Sequence, residues 1–253
     1  MKTFMVFFLS FALSFGLFAQ TRSSLHSKEF NSKALDLVEK GVKAMEKGNM
    51  AKAKKQFNKA LEESEKTFHA HGYLAVIAEK ENKIPESLKL FDKAFEVFGE
   101  YKSHLIERKT DYLKEMERQM ISDQNMINRR TSNYADNSSD NPAEMQSSAT
   151  ERKNRVKKLK EQLEETKNMT YPAFFYFKHG NALMKSKQVD KALEKYEAAV
   201  ESDPEFKDTY ANLAVVYFMA QDCEKAKATF KKGQELGTEF HPAFEKDLKA
   251  RCQ

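Results

Sequence analysis

Apolar residues along this chain recur at intervals of three and four, with charged residues filling the gaps, which is the spacing of amphipathic helices. The stretch 179–204, HGNALMKSKQVDKALEKYEAAVESDP, shows the unit. A first apolar run ends at Ser186-Lys187-Gln188, a polar turn. A second run follows, and Pro204 blocks its continuation because proline disfavours helix at itself and at the residue before it. The pattern predicts two antiparallel helices joined by a tight turn.

The unit repeats. A ruler of 34 residues starting at Ala173 puts Tyr176 at position 4, Gly180 at 8, Leu183 at 11, Ala192 at 20, Tyr196 at 24 and Ala199 at 27. Started at Lys207, it puts Tyr210 at 4, Leu213 at 7, Ala214 at 8, Tyr217 at 11, Ala226 at 20, Phe230 at 24 and Gly233 at 27. Started at Ala34, it finds Leu37, Gly41, Ala44, Ala53, Phe57 and Ala60 at positions 4, 8, 11, 20, 24 and 27. Started at Phe68, it finds His71, Leu74, Ala75, Ala78, Ser87, Phe91 and Ala94 at 4, 7, 8, 11, 20, 24 and 27. Small residues at 8, 20 and 27 let helix backbones approach, and large ones at 4, 7, 11 and 24 fill the space between them. This spacing resembles the tetratricopeptide repeat (TPR), a hairpin of two helices. The resemblance implies an all-α fold, a right-handed superhelical solenoid in which each hairpin buries its apolar faces against its neighbours.

Between the two pairs of copies, residues 102–121 continue the ruler, with Leu105 at 4 and Tyr112 at 11, and Met116 and Met120 on the same side. They read as the first helix of a third copy. Residues 122–150 are rich in Asn, Ser and Asp and poor in large apolar side chains, a composition that cannot offset its ordering entropy. The expectation is a flexible, disordered insertion, most mobile over 133–149. Residues 151–172 return to helical spacing through Val156, Leu159, Leu163 and Met169. They complete the interrupted repeat on one reading and form a short coiled coil on another; the interrupted repeat is preferred. The expected organisation is then 34–67, 68–101, the interrupted third copy, 173–206 and 207–240, with 241–253 as a capping helix carrying Phe244 and Leu248.

Composition adds the compartment. Residues 1–19 hold one lysine and then an apolar run over 4–18, ending at Ala19. The run falls short of the roughly 20 residues that span a bilayer, and the pattern is that of a cleaved secretory signal, with 20–33 as a linker. The alternative is an uncleaved anchor. The chain is expected to be exported, periplasmic or secreted, with no membrane attachment after cleavage. Cys223 and Cys252 are the two cysteines, and an oxidising compartment permits their pairing. Basic and acidic residues number 43 and 38 and interleave nearly everywhere; Arg152 to Lys160 is the one basic run, read as a solvated helix face, so no nucleic acid is expected as a partner.

No phosphate loop, metal-binding helix motif or nucleophile elbow is present. His69 and His71 stand two apart and point to different helix faces, while His71 and His179 occupy core positions. Neither catalysis, a cofactor nor a metal site is expected. The resemblance implies instead a groove lined by positions 2, 5, 6, 9, 12 and 13 of the first helices. These are Phe174, Phe177, Lys178, Asn181, Met184 and Lys185, then Asp208, Ala211, Asn212, Val215, Phe218 and Met219. Phe174, Phe177, Lys178, Asn181, Met184, Lys185, Asn212, Val215 and Phe218 are the candidate partner-binding residues. Phe177, Met184 and Phe218 are expected as exposed apolar surface, and Asn181 and Asn212 match positions that hydrogen-bond a peptide in the family. Phe177 stands where a carboxylate clamp would need lysine. A second, more apolar groove is expected from Leu35, Val38, Val42, Met45, His69, Tyr73 and Val76. The reading is a scaffold that binds a protein or peptide in a bacterial cell envelope. A self-assembling subunit and a regulator of an envelope enzyme are the alternatives.

Overall fold

The computed structural model describes residues 32–132 and 142–252. The expected signal at 1–19 and most of the linker at 20–33 lie outside the described residues. Among the described residues ten helices follow in order: α1 (Ser32–Glu46), α2 (Met50–Glu63), α3 (Phe68–Lys80), α4 (Ile84–Ser132), α5 (Pro142–Lys167), α6 (Ala173–Lys185), α7 (Val189–Ser202), α8 (Asp208–Met219), α9 (Cys223–Glu235) and α10 (Pro242–Arg251). No strand occurs among the described residues. The fold is all-α and consistent with a TPR solenoid.

The four complete copies close their first helices in the same way. Gly48, Asn82, Lys187 and Gln221 all have positive φ, between 60° and 73°, and all stand at position 15 of the ruler. In each copy the following N–H reaches back to the carbonyl at position 11: Asn49 to Ala44, Lys83 to Ala78, Gln188 to Leu183 and Asp222 to Tyr217, at 2.9 to 3.0 Å. The residue at position 15 donates to the carbonyl at 12. This double bond is the Schellman closure, and it turns the chain into the second helix. Asn49 and Asp222 then cap those helices, accepting from the N–H of Lys52 and of Lys225.

The small positions work as expected. A Cβ on Gly41 would come within 2.4 Å of the Phe57 ring, and one on Gly180 within 2.6 Å of the Tyr196 ring. Ala53, Ala192 and Ala226 at position 20 and Ala60, Ala94 and Ala199 at position 27 are fully buried. Ser87, the one polar residue at position 20, donates its hydroxyl to the Ala75 carbonyl at 2.9 Å. Position 4 departs from expectation. Only Tyr210 is buried there; Leu37, His71 and Tyr176 are half-buried. His71 is therefore not a core histidine; its Nε2 sits 3.1 Å from the Glu65 carbonyl oxygen.

The middle of the chain corrects the expectation of an interrupted third repeat. The chain divides into two compact units, one formed by residues 32–97 with 171–252 and the other by Phe98–Thr170. No break separates the second copy from the next helix, because α4 runs unbroken from Ile84 to Ser132. In the first unit, α6 packs directly on α3, so the copy starting at Ala173 follows the copy starting at Phe68 in the stack. The contacts are specific. A Cβ on Gly72 would meet the Phe175 ring at 2.7 Å, the Phe91 and His179 rings stack at 5.1 Å, and Lys185 Nζ lies 2.7 Å from Glu79 Oε1.

The second unit is an antiparallel helical hairpin. Lys109 donates to Thr166 Oγ1 at 2.7 Å, Lys160 pairs with Glu117 at 2.7 Å, and Arg152 reaches both Gln119 and Asp123 at 2.8 Å. Later residues of α4 thus meet earlier residues of α5. Leu105 and Met116 are buried on one helix and Val156, Leu159, Leu163 and Thr166 on the other. The spacing 152, 156, 159, 163, 166 alternates four and three, as in a coiled-coil seam. The polar segment expected to be disordered is helical over 122–132 and 142–150; residues 133–141 lie outside the described residues.

Candidate functional site

The residues proposed from the repeat register fall on α6 and α8, in adjacent hairpins, and the structure sorts them into two groups. Phe174 and Phe177 are buried, at 7% and 8% exposure. Phe177 is therefore not the surplus apolar surface expected of it. Phe174 packs against Tyr73 and Phe175. Phe177 packs against Tyr196 and, edge to face at 5.7 Å, against Phe206 in the segment between α7 and α8. Lys178 Nζ lies over both rings, 5.7 Å from Phe174 and 5.1 Å from Phe177, a cation–π arrangement. Burial, set against attraction to Glu79 and Asp208, lowers the Lys178 pKa from its ordinary value.

Asn181 is also buried, and its side-chain oxygen is engaged. It accepts from the Tyr196 hydroxyl at 2.7 Å and from Asn212 Nδ2 at 2.8 Å. Asn181 is therefore a structural clasp between α6, α7 and α8, not an open peptide-binding group. Register reasoning misses Tyr196, although the sequence carries a signal for it. Position 24 holds Phe57, Phe91 and Phe230 in the other copies, and only the copy with Asn181 places a hydroxyl there.

The second group remains open to solvent. Met184, Asn212, Val215 and Phe218 are half-buried, and Met219 beside them is 54% exposed. Phe218 is edge to face with Phe244 of α10 at 5.7 Å, and the Arg251 guanidinium sits 4.7 Å over its ring. Lys178 and the Glu79-bound Lys185 belong to the neighbouring helix α6. On this face Asn212 and Val215 are one turn apart, as are Val215 and Phe218. The surface is a short apolar strip on α8 with the Arg251 cation at its Phe218 end.

The groove expected from α1 and α3 is not free apolar surface. Val38, Val42, Met45, His69, Tyr73 and Val76 are all buried. Tyr73 stacks on Phe57 at 5.2 Å and meets Phe175 edge to face. Burial drives the His69 and His179 pKa values down to about 3 each, with Lys195 adding to the effect at His179.

Cys223, at the start of α9, and Cys252, just beyond α10, are joined by a disulfide with Cα atoms 5.3 Å apart. The expected capping helix is α10, with Phe244 and Leu248 buried. Among the described residues, no helix is long and apolar enough to cross a membrane.

A tetratricopeptide repeat model matches residues 38–96, and a TPR repeat model matches residues 180–221. The chain carries tetratricopeptide repeats. The two matches fall in the two parts of the chain that form the first unit and leave out the hairpin. Solved structures similar to it include a thermophilic TPR protein of Thermus thermophilus, at 16% identity over 87% of this chain and 96% of that one, with a TM-score of 0.33. YrrB, a TPR protein with an unusual peptide-binding site, shares 18% identity over 92% of this chain and 98% of its own, with a TM-score of 0.29. PilW, a type IV pilus biogenesis factor, shares 14% over 85% and 82%, with a TM-score of 0.39. No curated protein sequence matches the chain.

Proposed function

We propose that this chain is an exported protein-binding scaffold and that the face shared by α6 and α8 takes an extended peptide or a helix of a partner protein. Tetratricopeptide repeats are protein-interaction scaffolds, and the observation that carries the specific reading is the strip Val215, Phe218 and Met219. Met219 is exposed and Val215 and Phe218 are half-buried, and apolar surface left open to solvent in this way marks an interface. Phe218 supplies an aromatic anchor, Met184 and Met219 adapt to varied side chains, and Lys178, Lys185 and Arg251 favour acidic flanks on the partner. Export rests on the apolar run at 4–18 and on the disulfide, which suits an oxidising compartment, here a bacterial periplasm or the exterior.

A peptide array tests the binding reading. It would compare one apolar core with acidic, neutral or basic flanks. Acidic-flanked peptides should bind best, the preference should fade as salt rises, and Val215→Asp should weaken capture by about tenfold or more. Equal capture of all three flanks, unaffected by Val215→Asp, would remove this face as the binding site. For export, the mature chain should begin at Gln20. A chain still starting at Met1 in the membrane fraction would replace the signal with an anchor.

A further inference from the structure

The last helix is attached to the stack by few groups. In α10 only Phe244 and Leu248 are buried, with Cys252 just beyond its end. The helix has ten residues, below the length at which a helix persists alone in water. Its Phe244 ring packs on Phe218, Phe230 and Phe240, and Arg251 covers Phe218 from above. What fixes the far end is the covalent bond from Cys252 to Cys223, on the helix α10 packs against. The two sulfurs are unequally placed: Cys252 is 4% exposed, whereas Cys223 is half-buried.

We propose that the Cys223–Cys252 disulfide is a redox latch that holds α10 over the apolar end of the α8 strip, and that a dithiol reductant opens it. A thiolate of the dithiol attacks the more accessible Cys223 sulfur. The S–S bond breaks, and its electron pair leaves on the Cys252 sulfur, which takes up a proton. The second thiol of the reductant then displaces Cys223 as a thiol and leaves the reductant as a disulfide. The loop that closes across 29 positions is freed, and α10 is left with Phe244, Leu248 and the contact of Arg251 with the Phe218 ring. Its departure removes two neighbours from Phe218, the Phe244 ring and the Arg251 guanidinium, and uncovers Phe230 and Phe240. The consequence for partner binding rests on the groove reading above; the opening of the latch does not.

Hydrogen exchange on the full-length protein, with no partner present, tests the latch directly. Dithiothreitol should lower the protection of α10 amides on the order of a hundredfold, the scale set by losing one loop constraint, while α6, α7 and α8 keep theirs. Binding of anilinonaphthalene sulfonate should rise with it, and C223S should behave as the reduced protein without reductant. Unchanged α10 protection in both the reduced protein and C223S would overturn the proposal. So would loss of protection throughout α6–α8, since the disulfide would then be a staple of the whole fold. Should the latch open while the peptide array shows no preference for this face, the groove reading fails and the latch stands.

Discussion

Gly72 lies under the ring of Phe175, so close that a Cβ at position 72 would meet Cε1 at 2.7 Å. The first residue belongs to the second copy of the repeat, the second to the third complete copy, and residues 98–170 stand between them in sequence. The contact makes the two outer parts of the chain one stack of four hairpins. Gly72→Ala should cost about 1–3 kcal/mol, the usual penalty for overpacking, and Phe175→Ala about 3–5 kcal/mol, the usual loss for an emptied aromatic site. The double variant should be more stable than the sum predicts, because the smaller side chain makes room for the methyl group. Additive urea denaturation midpoints would show that the two residues do not touch.

A protease site engineered into residues 133–141 should be cut without separating the two halves. The first unit draws on both sides of the cut through Gly72 and Phe175, Glu79 and Lys185, and Phe91 and His179. The nicked protein should elute from a sizing column at the position of the intact chain. Two freely separating fragments would mean that the outer parts of the chain are independent domains.

The repeats were legible in the sequence because their small positions answer to sterics. Gly41, Gly180, Ala192 and Ala199 admit no larger side chain under an aromatic ring or against a neighbouring backbone, so the ruler found them. The hairpin was not legible for the converse reason. Leu105 and Tyr112 satisfy the ruler because any amphipathic helix matches its first-helix positions, and only a Schellman turn at position 15, where Met116 stands, would have distinguished a repeat. Composition misled at 122–132 and 142–150, where Asn- and Ser-rich sequence is helical. The site was half legible. Helical register puts Val215 and Phe218 on one face of α8, where both are half-buried, but it takes no account of Phe206, a loop residue that covers Phe177.

Stability should fall with acid through His179. Its folded pKa is lowered to about 3 by burial and Lys195, against an ordinary value near 6.5. Between those values the unfolded chain binds a proton that the folded chain excludes, so stability is present above pH 6.5 and is lost as pH falls toward 3. The slope is about 1.4 kcal/mol per pH unit for each such histidine; His69 adds its own. Leu74 and Leu213 occupy the same repeat position, so His179→Leu should fold and flatten the pH dependence of Tm between pH 4 and 6. An unchanged slope would show that His179 is protonated in the folded protein.

Core and open surface separate at two residues of the same repeat face. Phe177 is 8% exposed and locked between Tyr196 and Phe206, with the Lys178 ammonium above it. Phe177→Ser removes an aromatic ring from a packed site and leaves a hydroxyl in its place. It should cost about 3–5 kcal/mol, a large share of the stability of a domain this size. Met219 is 54% exposed and contributes little to packing, so Met219→Glu should move Tm by a degree or two at most, as surface substitutions do. Against an acidic-flanked apolar peptide the order should reverse. Met219→Glu removes apolar contact and adds a like charge, and should weaken binding by about tenfold, whereas Phe177→Ser at a temperature where it stays folded should bind nearly as the parent does. Loss of binding in folded Phe177→Ser, with Met219→Glu unaffected, would place the partner on the α6 side of the face instead.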